Sequence, residues 1–219
     1  MIAGIKIKVC GITRAEDARL AAELGADYLG FILHAKSPRY LELGRYAELA
    51  GGLPRGPRRV AVMVEPTLVD LDWAQEAGFD RFQIHARHDV ARGTVRGWSE
   101  AVGAANLWLA PKLPPGAPFP EGWLDLAQTF LVDTYHADGF GGSGRTGDWG
   151  GFMTLSRAHP EKTWVLAGGL GPHNLDIALA ASGARFVDVN SGVEDSPGVK
   201  SPEKLSALAA LLRGREHAG

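Results

Sequence analysis

Residues 163–192, TWVLAGGLGPHNLDIALAASGARFVDVNSG, contain two short apolar runs, each of which leads into glycine. The runs Thr163–Ala167 and Phe186–Asn190 are predicted strands, and apolar residues at helical spacing predict a helix over Asn174–Ala181 between them. Gly183 follows this helix at the position where a left-handed residue commonly ends a helix. A strand, a helix and a second strand in this order are typical of an α/β fold with parallel strands.

The same alternation extends towards both ends of the chain. Apolar residues at helical spacing predict further helices at Ala15–Leu24, Arg45–Leu53, Leu68–Ala77, Phe152–His159 and Pro202–Arg213. Six further strands are predicted at Ile5–Cys10, Tyr28–Leu33, Arg59–Val64, Arg81–His85, Leu107–Lys112 and Thr129–Asp133. Residues 93–122 are interrupted by glycine, so the fourth helix is the element for which the pattern is weakest.

Eight strands that alternate with helices in 219 residues fit a compact (β/α)8 barrel, a TIM barrel, formed by a single α/β domain over residues 1–219. An open, doubly wound sheet is the alternative, but it usually carries one glycine-rich turn after its first strand. In this chain glycine clusters follow the sixth, seventh and eighth strands. That placement favours the barrel.

The composition is that of an ordinary soluble globular protein, with 45% hydrophobic residues, 22% charged residues and a formal net charge of -2. A single cysteine excludes an internal disulfide or a multi-cysteine zinc site, and favours a reducing compartment such as the cytoplasm. Lys6 and Lys8 interrupt the first apolar run, which argues against a signal peptide. No run approaches the ~18 to 20 apolar residues of a membrane span, and the near-neutral charge gives no basis for nucleic-acid binding.

Two side chains with acid–base chemistry end predicted strands, and a barrel places its active site at the carboxyl ends of the strands. Cys10 ends the first strand before a predicted helix, whose N-terminus would favour the thiolate and lower the pKa below about 8.5. Asp133 ends the sixth strand, where desolvation would raise its pKa and suit it to act as a general acid. The alternatives are a buried, inert cysteine and an aspartate that caps a loop or pairs with a cation.

Two further candidates could contact a ligand. His85 ends the fourth strand as a hydrogen-bond donor or base, or as a structural histidine bonded to nearby backbone. Arg39 has a planar guanidinium suited to a carboxylate, and a solvated surface arginine is the alternative. His85 and His88 lie three positions apart, but no carboxylate or cysteine completes a convincing ligand set, so we expect no metal.

Glycine-rich loops predict where an anion binds. Loops after the seventh and eighth strands of a barrel commonly bind phosphate through backbone amides, which glycine leaves accessible. In this chain these loops contain Gly168, Gly169, Asn190, Ser191 and Gly192. Two ordinary tight turns are the alternative. Residues 139–149, which include Gly142, Ser143 and Gly144, are predicted to form a lid over a ligand or a plain flexible loop.

Eight segments of the chain match one family in the same order. They are KVCGITR at residues 8–14, GADYLGFIL at 25–33, SPRY at 37–40, QIH at 83–85, LVDT at 131–134, GGSGRTGDW at 141–149, AGGLGPHN at 167–174 and DVNSGVEDSPGVKS at 188–201. Over nearly its whole length, the chain resembles the phosphoribosylanthranilate isomerases of tryptophan biosynthesis. The first and last motifs are the most specific.

The resemblance implies a (β/α)8 barrel that converts N-(5-phosphoribosyl)anthranilate to an open-chain carboxyphenylamino deoxyribulose phosphate, an Amadori rearrangement without metal or organic cofactor. It implies that Cys10 is the general base, that Asp133 is the general acid and that Arg39 holds the anthranilate carboxylate. It assigns the phosphate to the loops after the seventh and eighth strands, and residues 141–144 to a loop that closes over substrate. The expected partner is a phosphorylated small molecule, and the expected state is a monomer or homodimer.

Two departures from the family pattern concern residues around the predicted binding site. QIH is followed by residues 86–89, ARHD, instead of glycine and acidic residues, which leaves the role of His85 open. Arg145 stands where lysine is common in the family. Its guanidinium keeps the positive charge but is planar, unlike the compact ammonium group of lysine. Two competing hypotheses are another phosphate-binding barrel of amino-acid biosynthesis, against which Cys10 argues, and a non-catalytic sensor of a sugar phosphate.

Overall fold

The repeated strand–helix unit closes on itself. In the computed structural model, which describes residues 1–114, 117–133 and 148–215, eight parallel strands form a closed barrel in chain order. The last strand pairs with the first, and Lys8 stands in register with Asp188 at this junction. The strands are β1 (Lys6–Val9), β2 (Tyr28–Ile32), β3 (Arg58–Val64), β4 (Arg81–Arg87), β5 (Leu107–Lys112), β6 (Thr129–Val132), β7 (Thr163–Leu166) and β8 (Phe186–Val189). The predicted barrel is confirmed.

Helices connect the strands and pack on the outside of the barrel, over an apolar layer that includes Phe31, Ile84 and Leu107. Those in the described residues are α1 (Ala15–Glu23), α2 (Leu43–Ala50), α3 (Leu68–Glu76), α4 (Arg92–Val102), α5 (Trp149–Ala158), α6 (Leu175–Ser182) and α7 (Pro202–Gly214). Between β5 and β6 the connection contains a 3-10 helix, Glu121–Leu126. A 3-10 turn, Ser191–Val193, follows β8.

Residues 93–122, where the sequence pattern for a helix is weakest, include most of a regular helix, α4. Val95, Trp98 and Val102 lie buried along one face of it, and the indole nitrogen of Trp98 donates a hydrogen bond to the carbonyl of Pro66 at 2.9 Å. Gly97 lowers helix propensity by roughly 1 kcal/mol relative to alanine, whereas burying one large apolar side chain contributes roughly 1.5–3 kcal/mol. Tertiary burial therefore outweighs the local preference.

A short antiparallel hairpin, β9 (Glu194–Ser196) and β10 (Val199–Lys200), follows the 3-10 turn after β8. Its strands are three and two residues long, which is too short for a hydrophobic period, and the sequence pattern does not predict it. The hairpin contacts the barrel mouth, because the buried side chains of Glu194 and Lys200 bond to Arg39 and Asn190 there.

The inside of the barrel changes from apolar to polar along the strands. Near the strand starts, the rings of Tyr28, Trp108 and Phe186 form a cluster with centroids 5.0 to 5.4 Å apart. Successive side chains alternate between the two faces of a strand, so Lys8 and Cys10 share the inward face further along the first strand. The aromatic cluster fills the amino end of the barrel, and polar groups occupy the carboxyl end.

Candidate active site

The carboxyl ends of the strands enclose a cavity of about 840 Å³. Of the predicted site residues, Cys10, Arg39, His85, Asp133, Gly168, Gly169, Asn190 and Ser191 line it. Additional lining residues are His34, Lys36, Glu65, Gln83, Arg87 and Asp188. Gly142, Ser143 and Gly144 lie outside the described residues. The fold thus brings side chains from both ends of the chain to one cavity.

Cys10 directly follows β1 and is 4% exposed. Burial disfavours the charged thiolate and raises the pKa of Cys10, against the lowering effect of Lys8 and Lys200. The expectation of a lowered pKa is therefore wrong. Helix α1 begins only at Ala15, so its N-terminus is not adjacent to the sulfur, and desolvation is the larger effect.

A buried ion pair lies directly beneath Cys10. Nζ of Lys8 lies 2.9 Å from each carboxylate oxygen of Asp188, and the Lys8 side chain is 0% exposed. Burial by itself would lower the pKa of Lys8, but the attraction of Asp188 and Cys10 outweighs it and raises that pKa. Burial raises the pKa of Asp188 as well, against the lowering effect of Lys8 and Lys200.

Asp133 immediately follows β6 and is partly exposed in the cavity. Strands β7 and β8 separate β6 from β1 around the barrel. Asp133 and Cys10 therefore stand on different sides of the same cavity. This arrangement allows one bound molecule to contact both groups.

Arg39 is bound to a carboxylate of the protein itself. Its Nε lies 2.9 Å from Oε1 of Glu194, and its Nη2 lies 2.6 Å from Oε2. Glu194 is 3% exposed in its side chain and also accepts hydrogen bonds from Nζ of Lys200 at 2.7 Å and from the backbone of Gly198 at 3.1 Å. Burial would raise the pKa of Glu194, but Arg39 and Lys200 outweigh it and lower that pKa.

Gly11 makes room for Arg39 beside Cys10. Its φ of +71° is left-handed, and a Cβ there would lie 2.7 Å from Cδ of Arg39 and 2.6 Å from Oδ1 of Asn190. Asn190 in turn accepts a hydrogen bond from Nζ of Lys200 at 3.0 Å. Glycine at this position lets the first strand, the arginine segment and the end of the eighth strand meet.

His85 is neutral in this site. The amide nitrogen of Gln83 lies 2.7 Å from Nε2 of His85, and an amide donor there requires an unprotonated ring nitrogen. Burial, with added repulsion from Lys8 and His34, lowers the pKa of His85 to about 4. Within the described residues, Oε1 of Gln83 is buried without a partner, which leaves an acceptor at the cavity floor.

The glycine loops after β7 and β8 pack backbone against backbone. Gly168 and Gly169 have left-handed φ values of +104° and +63°. A Cβ on Gly171 would lie 2.5 Å from the carbonyl oxygen of Gly192, so the loops can approach this closely only without side chains. Gly192 itself lies behind Ser191 rather than on the cavity wall. The side chain of Asn174 fixes the first loop by accepting from Gly171 N at 2.9 Å and donating to Gly169 O at 3.1 Å.

Sequence reasoning missed several residues of this region. Lys8 was interpreted only as a break in an apolar run, although its position two residues before Cys10 places both on one strand face. Asp188 and Asn190 are likewise two residues apart, so they share one face at the end of the eighth strand. Glu194 carried no signal, because its contact with Arg39 joins residues 155 positions apart.

In the part of the chain that the structure describes, no group of three or more histidine, cysteine or acidic side chains is arranged to hold a metal ion. Among the same residues, no helix combines the length and apolar character needed to cross a membrane.

The barrel and the polar cavity at the carboxyl ends of its strands define a (β/α)8-barrel enzyme. Residues 7–210 match the profile of the N-(5'phosphoribosyl)anthranilate (PRA) isomerase family. The chain belongs to this family of isomerases.

Individual relatives agree with this assignment. The N-(5'-phosphoribosyl)anthranilate isomerase of Synechococcus elongatus is 35% identical over 214 residues, which are 95% of this chain and 96% of the relative. The crystal structure of the Thermus thermophilus isomerase superimposes with a TM-score of 0.75 at 33% identity and covers 96% of this chain and 100% of that chain. A second structure, an isomerase in complex with reduced 1-(o-carboxyphenylamino)-1-deoxyribulose 5-phosphate, has a TM-score of 0.76 at 27% identity and covers 96% of this chain and 99% of its own. The resemblance seen in the sequence motifs is confirmed.

Proposed function

We propose that this protein converts N-(5'-phosphoribosyl)anthranilate to 1-(2-carboxyphenylamino)-1-deoxyribulose 5-phosphate in tryptophan biosynthesis, with Cys10 and Asp133 as its acid–base pair. One observation carries the residue roles. Cys10 and Asp133 line the same cavity from different strands, together with Gly168, Gly169 and Ser191. The cavity thus offers a base, an acid and an anion-binding loop to a single sugar phosphate.

Asp133 acts first, as the general acid. Its carboxyl proton moves to the ring oxygen of the ribose as the bond from that oxygen to C1 breaks, and the anthranilate nitrogen forms a protonated Schiff base with C1. The carboxyl group follows the apolar strand β6 and lines the cavity, where a bound sugar ring can receive its proton.

Cys10 acts second, as the general base. Its thiolate removes the proton from C2, and the electrons of that bond neutralise the iminium nitrogen to give an enol-amine. The enol loses its hydroxyl proton while C1 gains one, so the product is the ketone isomer of the substrate. Substrate and product have the same atoms and charge, so the cycle consumes no net oxidant or reductant.

Binding groups hold the reacting carbons between these two residues. Backbone amides of the loops at Gly168, Gly169 and Ser191, with Asn190 beside them, bind the phosphate. Arg39 binds the anthranilate carboxylate through Nη1, which takes no part in the pair with Glu194. Neutral His85 contributes a hydrogen bond.

Two substitutions test the catalytic roles. In Cys10→Ala and Asp133→Asn we expect turnover, followed by the loss of substrate fluorescence, to fall about 10²- to 10⁴-fold, the usual contribution of one acid–base group. Circular dichroism checks that both variants fold. Asp72→Asn on the exposed side of α3 is the matched control and should keep full activity.

Full turnover in either variant would remove the role assigned to that residue. A wild-type protein that binds the product but does not catalyse its formation would instead indicate a sugar-phosphate sensor.

We also propose that the enzyme works in the cytoplasm as a monomer or homodimer and needs no metal. A free thiol at the cavity supports a reducing compartment. Turnover that is unchanged by a chelator, and a mass from light scattering of one or two chains, are the expected results.

A further inference from the structure

Lys8 is a buried cation that the proposed reaction leaves without a role. An ammonium group is costly to bury unless its charge and its donors are satisfied. Two of its donors have partners, since Nζ lies 2.9 Å from each oxygen of Asp188, and its charge is also attracted by Cys10 when that residue is ionised. The lysine therefore connects a carboxylate to the proposed catalytic base.

The backbone of the barrel fixes this contact. Lys8 and Cys10 are two residues apart on β1 and its extension, so they share the inward face, and Asp188 is the register partner of Lys8 on β8. On the other side lies Gly30 of β2, where a Cβ would lie 2.9 Å from the sulfur of Cys10 and 3.0 Å from Nζ of Lys8. The sulfur and the ammonium group thus both lie within 3.0 Å of the point that a Cβ at residue 30 would occupy, and therefore within about 6 Å of each other.

We infer that Lys8, held in place by Asp188, is a positioning residue that stabilises the thiolate of Cys10 while it acts as base. This inference rests on the proposed role of Cys10. When Cys10 is a thiol, Lys8 and Asp188 form a neutral pair. When Cys10 loses its proton, the new negative charge lies within about 6 Å of the buried ammonium group, where charges interact more strongly than in water.

Charged groups on several elements face Cys10, and they act in opposite directions. After burial, Lys8 has the largest effect and lowers the pKa of Cys10, Asp188 raises it, and Lys200 of β10 lowers it. His85 and Asp133 also line the cavity. Removing Asp188 should therefore favour the thiolate, whereas removing Lys8 together with Asp188 should disfavour it.

The test uses the fact that Cys10 is the only cysteine of the chain. One NMR signal from protein labelled at the cysteine β-carbon reports its ionisation in the intact, unliganded enzyme. Three variants are compared with wild type, namely Asp188→Asn, the double variant Lys8→Met/Asp188→Asn, and Lys6→Met as the control for loss of a lysine from the same strand. The double variant replaces an ion pair by neutral groups of similar size, which buried sites commonly tolerate.

We expect the cysteine titration to move to lower pH in Asp188→Asn and to higher pH in the double variant. The inflection of kcat/KM against pH that belongs to Cys10 should move in the same directions. At neutral pH the thiolate population of the double variant should fall about tenfold or more. Lys6→Met should match wild type, because four residues along a strand separate its Cα from that of Cys10 by about 13 Å.

Each other outcome is decisive. Unchanged cysteine titration in both variants would overturn the inference and leave the role of Cys10 to the Cys10→Ala result. A titration that moves while the pH profile of kcat/KM stays fixed would show that Cys10 is not the base, and would overturn both the inference and the proposed mechanism. If the variants lose stability but their cysteine titrations do not shift in opposite directions, the Lys8–Asp188 pair has only a structural role and the inference is overturned.

Discussion

Arg39 reaches the cavity already paired with Glu194. A guanidinium has five N–H donors in one plane, and Glu194 binds only the edge that carries Nε and Nη2. The other edge of Arg39 stays available to a ligand. Lys200 and the backbone of Gly198 hold Glu194 in turn. The arginine is thereby oriented before any carboxylate arrives, which reduces the ordering cost of binding.

Glu194→Gln should weaken substrate binding more than it slows chemistry. The neutral amide cannot hold the arginine through two charge-assisted hydrogen bonds, so we expect KM to rise about tenfold, equivalent to about 1.4 kcal/mol, with a smaller change in kcat. Steady-state kinetics measures both constants. Asp195→Asn, an exposed neighbour on the same hairpin, is the control, and an unchanged KM in Glu194→Gln would exclude the orienting role.

His85 predicts a pH dependence of stability. The folded protein resists protonation of His85 down to about pH 4, whereas an unfolded chain takes up that proton near its ordinary pKa of about 6.5. The unfolded state thus binds more protons in this range, and the free energy of unfolding falls as the pH drops from about 6.5 to about 4.

Urea unfolding at several pH values measures this slope. His85→Asn should flatten it, and His173→Asn, at an exposed position, controls for removal of an imidazole. An equally steep slope in His85→Asn would mean that other groups, and not His85, cause the loss of stability.

At the scale of elements, the glycine loops after β7 and β8, to which the proposed function assigns the phosphate, depend on the close contact of two glycines. Gly171 follows β7 and Gly192 follows β8, and their backbones touch where any side chain would intrude. The contact joins two neighbouring strand–helix units at the cavity edge, so the shape of each loop depends on the other.

Gly171→Ala should force these loops apart. A Cβ 2.5 Å from a carbonyl oxygen requires the backbone to move, and we expect a destabilisation of about 1–3 kcal/mol, as for other overpacked sites. Inhibition by inorganic phosphate should weaken in parallel. Gly97→Ala in α4, where the nearest atom is 3.9 Å away, should instead stabilise by up to about 1 kcal/mol. Equal stability of the two variants, measured by denaturant unfolding, would argue against a strained contact.

At the scale of the whole molecule, hydrophobic periodicity predicted the order and approximate bounds of the barrel strands. The first predicted strand, Ile5–Cys10, is one residue longer at each end than β1. The second helix begins at Leu43 and ends at Ala50, earlier at both ends than the pattern predicted. The barrel end at which side chains gather also followed from the sequence, because apolar runs end where the strands reach the cavity.

The electrostatics did not follow from the sequence. A buried pair such as Lys8–Asp188 joins residues 180 positions apart and depends on the register of β1 against β8. The raised pKa of Cys10 has the same origin, because desolvation is a property of the assembled interior and not of the segment around residue 10. Hairpin β9–β10, with only five residues in its strands, was likewise invisible to periodicity.

The junction between β1 and β8 has a consequence for synthesis. The ribosome makes β1 first and β8 only after residue 185. Asp188, which pairs with Lys8, is therefore made with the last strand of the barrel. A nascent chain released before β8 would leave a lone ammonium group in the half-formed interior, with an open sheet edge beside it. Translation must therefore be nearly complete before the enzyme can gain its activity, and truncated products should be recognised as unfolded and degraded.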